Sequence, residues 1–303
     1  VISHEAALGV ITLVAAVVNG ALGYGFSSIT VPLALLFFSN RVLNPALVII
    51  EVPLNAYVLW VNRTALPNVW RRVLPIMIGL VPGVVLGTAI VSRVNPGWLK
   101  IVTYVVLLPL ILFQAAGYRR PIRSERSVGL VFGGGVGVLY SVTTISGPPL
   151  AVLLSNQGLT KKDFRAALGL VRLAESSMTA AAYLAVGLYS VTNLGLVAWI
   201  VPGIVIGVPI GAEIIQRVRP ETFRRICMSF DAWIVGFGLS TVVRELGIIL
   251  GYEAYSILTV VALLDLWLLY RFFWVSGPGI PGETAALEAT AETFTGNPEA
   301  GEG

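Results

Sequence analysis

Val142-Thr143-Thr144-Ile145-Ser146-Gly147-Pro148-Pro149-Leu150 lies in the middle of an otherwise apolar run. Proline has no N–H and glycine no side chain to hold helical geometry, so Gly147-Pro148-Pro149 predicts an interruption of any helix there. Hydrocarbon tolerates freed backbone only where protein or a wet cavity covers it. An interruption at membrane depth therefore points to a binding site. A second stretch matches it near the N-terminus: Gly23-Tyr24-Gly25-Phe26-Ser27-Ser28-Ile29-Thr30-Val31-Pro32 sets glycines and hydroxyls before a proline that is expected to open a new helical run. Pro32-Leu33-Ala34-Leu35-Leu36 then reads like Pro149-Leu150-Ala151-Val152-Leu153.

Composition puts both breaks in a bilayer. The 303 residues are 56% hydrophobic and 12% charged, against about 25% charged in a soluble globule. Apolar runs of about 20 residues recur, each long enough for a helix across about 30 Å of hydrocarbon, without the alternation of a β-barrel. The fold class expected is an all-α polytopic membrane protein. A net charge of +4, carried in loops, reads as topology information and not as a nucleic-acid footprint. Cys227 is the only cysteine and His4 the only histidine, so neither an internal disulfide nor a metal-ligand set is expected, nor any cofactor. No basic region precedes the first apolar run, and no cleavable signal peptide is expected.

The runs fall into two copies. The first comprises Ala6 to Phe38, broken at Gly23 to Pro32, then Val42 to Val61, Val73 to Val91 and Leu99 to Ala116. After an arginine-rich linker the pattern restarts with Val128 to Leu154, broken at Thr143 to Pro149, then Phe164 to Val186, Leu194 to Ile214 and Phe223 to Val243. Leu80-Val81-Pro82-Gly83-Val84-Val85-Leu86-Gly87 repeats as Ile200-Val201-Pro202-Gly203-Ile204-Val205-Ile206-Gly207, an offset of 120. Co-ordered prolines and glycines mark a duplication of the kind secondary transporters carry. The organisation expected is a first transmembrane repeat (1–118), a basic cytoplasmic linker (119–127), a second repeat (128–245), an extra C-terminal transmembrane helix (246–276) and a disordered acidic tail (277–303).

Charge bears on topology. If each broken run crosses once, the copies are parallel and basic residues divide evenly between the two sides. If each enters, turns at its break and leaves on the same side, the copies are inverted. One side then collects fifteen basic residues, Arg225 among them, and the other keeps Arg41, Arg93, Lys100 and Arg244. That asymmetry favours inverted repeats with re-entrant hairpins, an outside N-terminus and a cytoplasmic C-terminus. Against it, Ala6 to Leu22 is nearly long enough to span alone.

Two opposed hairpins bring the helices expected after Pro32 and Pro149 to one midplane space, their unpaired N–H groups and positive dipole ends aimed at an anion. The candidate substrate-binding residues are Tyr24, Gly25, Ser27, Ser28, Thr30, Tyr140, Thr143, Thr144, Ser146, Gly147 and Arg172. For any single hydroxyl, tight helix packing is the stronger explanation; for the pair of breaks together it is not. Intramembrane charge supplies a second class, with Glu51, Glu175 and Asp231 as candidate coupling residues. At the offset of 120, Val52 is the counterpart of Arg172, so Glu51 is expected to approach Arg172 across the pseudo-two-fold axis. Arg172 and Glu175, at i, i+3 spacing, are a second pair able to neutralise each other. A structural ion pair and a substrate-binding arginine with a protonatable partner both stand. Asp265, in the unduplicated helix, reads as a packing or oligomer residue.

The Gly-rich break leading into Val31-Pro32-Leu33, Ile145-Ser146-Gly147-Pro148-Pro149-Leu150, Gly158-Leu159-Thr160-Lys161-Lys162-Asp163-Phe164-Arg165-Ala166 and the two Pro-Gly-x-x-x-Gly segments together resemble the TauE/SafE family of anion exporters, over about residues 6 to 245. The resemblance implies export of sulfite or of organosulfonates such as sulfoacetate. The expectation is a secondary transporter working by alternating access at the cytoplasmic membrane, with proton coupling through Glu51 or Asp231 as one variant and a passive anion channel or uniporter as the alternative. Its partners are a small anion and membrane lipid, without nucleic acid; homodimerisation is left open. A hydrolase is disfavoured because the chain has no Gly-x-Ser-x-Gly elbow and its sole histidine is terminal.

Overall fold

A computed structural model describes residues 3–22, 25–115, 125–155, 159–217 and 220–275. Tyr24, most of the arginine-rich linker and the acidic tail lie outside the described residues. The chain runs through α1 (His4–Leu22), α2 (Phe26–Ala34), α3 (Asn40–Val61), α4 (Leu66–Arg93), α5 (Pro96–Ala115), α6 (Glu125–Thr143), α7 (Gly147–Ser155), α8 (Lys161–Ala185), α9 (Val191–Arg217), α10 (Pro220–Glu245) and α11 (Ser256–Tyr270), with no strand among the described residues. Six helical segments are long and apolar enough to cross a membrane: His4–Ala21, Asn40–Val61, Arg63–Arg93, Val191–Ile214, Arg225–Glu245 and Tyr252–Trp274. The protein is a multi-pass membrane protein.

Both broken runs are helix pairs. The first break comes earlier than its proline suggested: α2 starts at Phe26, and Pro32 sits inside it. Gly25, at φ 104°, makes the turn in the left-handed region that glycine enters without steric cost. Pro32 has no N–H to offer Ser28 O, so it costs α2 one bond of its ladder. The carbonyl of Pro32 accepts instead from Tyr104 Oη of α5, at 2.8 Å. The start of α1 meets the chain just after α2, with the His4 and Phe37 rings 5.3 Å apart, so the two helices run antiparallel.

The halves exchange helices. α1 packs along α9, α6 packs along α4, α3 faces α8, and α5 faces α10. Close backbone approach holds the first two seams together. A Cβ on Gly79 or Gly83 would collide with the carbonyl of Leu130 or Gly134 on α6. A Cβ on Gly207 would meet Leu13 O and the Ala16 methyl at 2.7 Å, and one on Gly203 would meet Leu13 N at 2.8 Å. The repeated Pro-Gly-x-x-x-Gly segments are thus the packing faces of α4 and α9, since small residues let membrane helices gain dispersion contact where lipid supplies no hydrophobic drive. Thr160 caps α8, its hydroxyl accepting from Asp163 N at 3.2 Å, which accounts for the Thr-Lys-Lys-Asp stretch.

Arg225 corrects the loop-charge reading. It is a buried residue of α10, and its Nη2 lies 2.9 Å from Asp265 Oδ1 of α11. Ser229 and Trp233 also donate to that carboxylate, at 3.2 and 3.0 Å. Asp265 therefore fastens the unduplicated helix to the bundle. Arg41 caps the C-terminus of α4, donating to Val91 O and Ser92 O at 2.9 and 2.8 Å.

Gly83→Leu is expected to lower stability by about 1–3 kcal/mol or more, because the α4–α6 seam must open. Gly135→Ala, which meets nothing within 4 Å, is expected to leave it unchanged or slightly raised. Thermal unfolding of the two variants in detergent checks the contrast.

Candidate functional site

The two breaks meet. Gly25, Ser27 and Ser28 from the first, Thr144, Ile145, Ser146 and Gly147 from the second, and Arg172 of α8 line one small shared cavity. Ile145 is a lining residue the sequence reading missed, being an apolar side chain in an apolar run. Thr30, Tyr140 and Thr143 stand behind the wall.

Thr144 takes the left-handed conformation, φ 56°, unusual for a β-branched residue. The surrounding bonds hold it there. Its N–H donates to Tyr140 O at 2.6 Å, and Ile145 N donates to Thr143 Oγ1 at 3.1 Å. Thr143 Oγ1 in turn donates to Leu139 O at 2.7 Å, which makes Thr143 a support of the break. Two carbonyls that a continuous helix would have satisfied find donors on other helices. Asn44 and Asn40 of α3 reach Val142 O at 2.7 and 3.2 Å, and Tyr183 of α8 donates to Ser141 O. These asparagines are readable as polar marks at i, i+4 on an apolar helix, yet nothing local says what they bind.

The donors offered to the cavity are unequal. The first three amides of α2, those of Phe26, Ser27 and Ser28, have no intrahelical acceptor, since the ladder begins with Ile29 N to Gly25 O. α7 starts at Gly147 and not after Pro149, and Pro148 and Pro149 carry no N–H. Its first turn therefore presents Gly147 N–H as its leading amide. The expectation that the two helices begin after Pro32 and Pro149 is corrected: they begin at Phe26 and Gly147, and α2 has more helix-start amides than α7.

Each break leans on a buried carboxylate. Ser27 Oγ donates to Glu51 Oε1, and Ser146 Oγ donates to Glu175 Oε1. The two contacts are equivalent, and they set Glu51 opposite Glu175. Glu51 also accepts from Tyr140 Oη at 2.7 Å and lies 3.6 Å from Arg172 Nη2. The approach of Glu51 to Arg172 is thus present, and the arginine's ion pair is with Glu51 across the halves, not with Glu175 on its own helix. Asn55 and Ser176 bond the Arg172 carbonyl at 3.4 and 2.8 Å, holding its backbone in place. Arg172 Nε has no partner, nor has one oxygen each of Glu175 and Asp231. Asp231, buried in α10, faces the Ser28 hydroxyl from outside the cavity lining.

A small polar cavity with one guanidinium, hydroxyls and two helix starts is thus sunk among apolar helices. The family model described as "Sulfite exporter TauE/SafE" matches residues 8–237, and the chain belongs to that family. It is a membrane transporter, of a family of transporters and not of enzymes. No curated protein and no solved structure matches the chain significantly.

Arg172→Met is expected to destabilise the protein by about 3–5 kcal/mol, since it strands the Glu51 carboxylate without its cation. Adding Glu51→Gln is expected to recover much of that loss. Unfolding midpoints of the two single variants and the double variant check the coupling.

Proposed function

We propose that the protein exports a small anionic sulfur compound, an organosulfonate such as sulfoacetate or sulfite, across the cell membrane. The observation that carries this reading is the shared cavity, where Ser27 and Ser28 at the start of α2, Ser146 and Gly147 at the start of α7, and Arg172 come together from both breaks. The serine hydroxyls donate to Glu51, Gly25 O and Glu175, which leaves the helix-start amides and the guanidinium as the donors for an anion. A sulfonate or sulfite presents three acceptor oxygens, and such donors match them without a bound metal. Arg172 supplies the compensating charge, with Nε free to make a second bond.

The movement is alternating access between two inverted repeats. The exchanged pairing of α1 with α9 and of α6 with α4 supports it, as does the antiparallel α1–α2 hairpin whose two ends lie together at His4 and Phe37. In this reading both broken segments are re-entrant, the N-terminus is outside and the C-terminus cytoplasmic. An inside-negative potential then drives the anion out by about 2.3 kcal/mol per charge per 100 mV. Proton coupling through a buried carboxylate can add to that drive or oppose it.

Thermal-shift binding of sulfite, sulfoacetate, sulfolactate, taurine, sulfate and acetate tests the substrate class. Sulfoacetate or sulfite is expected to raise the melting temperature more than acetate or zwitterionic taurine, and Arg172→Lys to weaken that rise. Equal shifts for all six would sink the reading. In proteoliposomes, efflux is expected to saturate with substrate and to follow voltage; conductance steps in planar bilayers would instead mark a channel.

A further inference from the structure

We infer that Glu175 is the carboxyl that takes up a proton when the anion binds. This rests on the anion reading above. The two halves put a carboxylate behind an equivalent serine, but they do not furnish equivalent surroundings. Glu51 is held by Ser27, by Tyr140 and by the Arg172 guanidinium. Glu175, equally buried, has Ser146 as its hydrogen-bond donor, a second oxygen with no partner, and no cation within ion-pair distance among the described residues.

The groups facing Glu175 are few. From α3 comes Glu51, from α6 Tyr140, and from its own helix Arg172. α7 has no charged residue, and the charged residues of α4, Arg71, Arg72 and Arg93, are exposed, as is Arg63 before it. A buried carboxylate with one neutral donor and one bare oxygen is poorly compensated. An anion seated against Ser146 and Arg172 brings a second negative charge to the same place, with the one guanidinium already engaged by Glu51.

A proton on Glu175 removes that repulsion and also changes what Ser146 can do. The ionised carboxylate only accepts, so it fixes the Ser146 hydroxyl as a donor facing away from the cavity. A neutral Glu175 donates its own O–H to Ser146 Oγ, and the serine proton turns toward the anion. One proton from solvent ends on a Glu175 oxygen, no covalent bond of the anion changes, and the cavity gains a donor. Ser27 does not stand in the same position, because its carboxylate partner Glu51 also has the Arg172 and Tyr140 contacts.

The test is calorimetric binding of sulfoacetate and methanesulfonate to the full chain in detergent, in two buffers of different ionisation enthalpy. Neither anion takes up a proton at about neutral pH. Measured on the alkaline side, where Glu175 is ionised in the unliganded chain, the expected result is uptake of about one proton per anion, with affinity falling about tenfold per pH unit as pH rises there. In Glu175→Gln, whose amide can still donate to Ser146, binding is expected to persist with no proton uptake and no pH dependence. Uptake that persists in Glu175→Gln, or wild-type binding without uptake, overturns the assignment. If Glu175→Gln does not fold, Asp231→Asn and Glu51→Gln decide by exclusion: uptake surviving both supports Glu175, and uptake lost in either overturns it. Failure of the wild-type chain to bind any anion is a separate result, and it removes the transport reading together with this one.

Discussion

Hydrocarbon offers no hydrogen-bond partner, so a helix broken inside the membrane must have its freed backbone groups answered by protein. The rest of this structure follows from meeting that demand twice. At the second break the carbonyls of Ser141 and Val142 are taken by Tyr183, Asn40 and Asn44, side chains from α8 and α3. At the first, Tyr104 of α5 answers the Pro32 carbonyl. Where the two breaks come together, Ser27, Ser28 and Gly147 at the helix starts line the cavity.

Reaching those groups requires close backbone contact, which the glycine seams provide. α4 and α9 carry glycines at four-residue spacing against α6 and α1 of the opposite half, so each broken helix pair is clasped by a helix from the other copy. The apolar clusters divide accordingly. The largest gathers around α1, α2, α3, α5, α9 and α10, the next around α4, α6, α7 and α8, and two smaller clusters accompany them among the described residues. Neither half encloses the cavity unaided, so a duplicated chain builds a single site.

Duplication also sets where symmetry stops. The serine–carboxylate contacts are repeated, Ser27 with Glu51 and Ser146 with Glu175, while Arg172 occurs once and is drawn to the carboxylate of the other half. The helix starts differ too, because paired prolines remove donors from α7 that α2 retains. A site with one guanidinium between two carboxylates is electrically lopsided, and that imbalance gives the two glutamates different chemistry.

Much of this was legible in the residues. The apolar excess and the paired Gly/Pro breaks determined the membrane class and the location of the cavity, because backbone chemistry is local and travels with the residue type. The approach of Glu51 to Arg172 was also readable, from the repeat offset. What only the tertiary structure decided is which donor meets which acceptor: that α2 begins at Phe26 and not after Pro32, that Thr143 props the break where Thr144 lines the cavity, that Arg225 is buried against Asp265, and that Arg172 serves Glu51 and leaves Glu175 bare. Those pairings join residues dozens of positions apart on helices exchanged between halves, and no local pattern of apolarity or propensity encodes a partner at that distance.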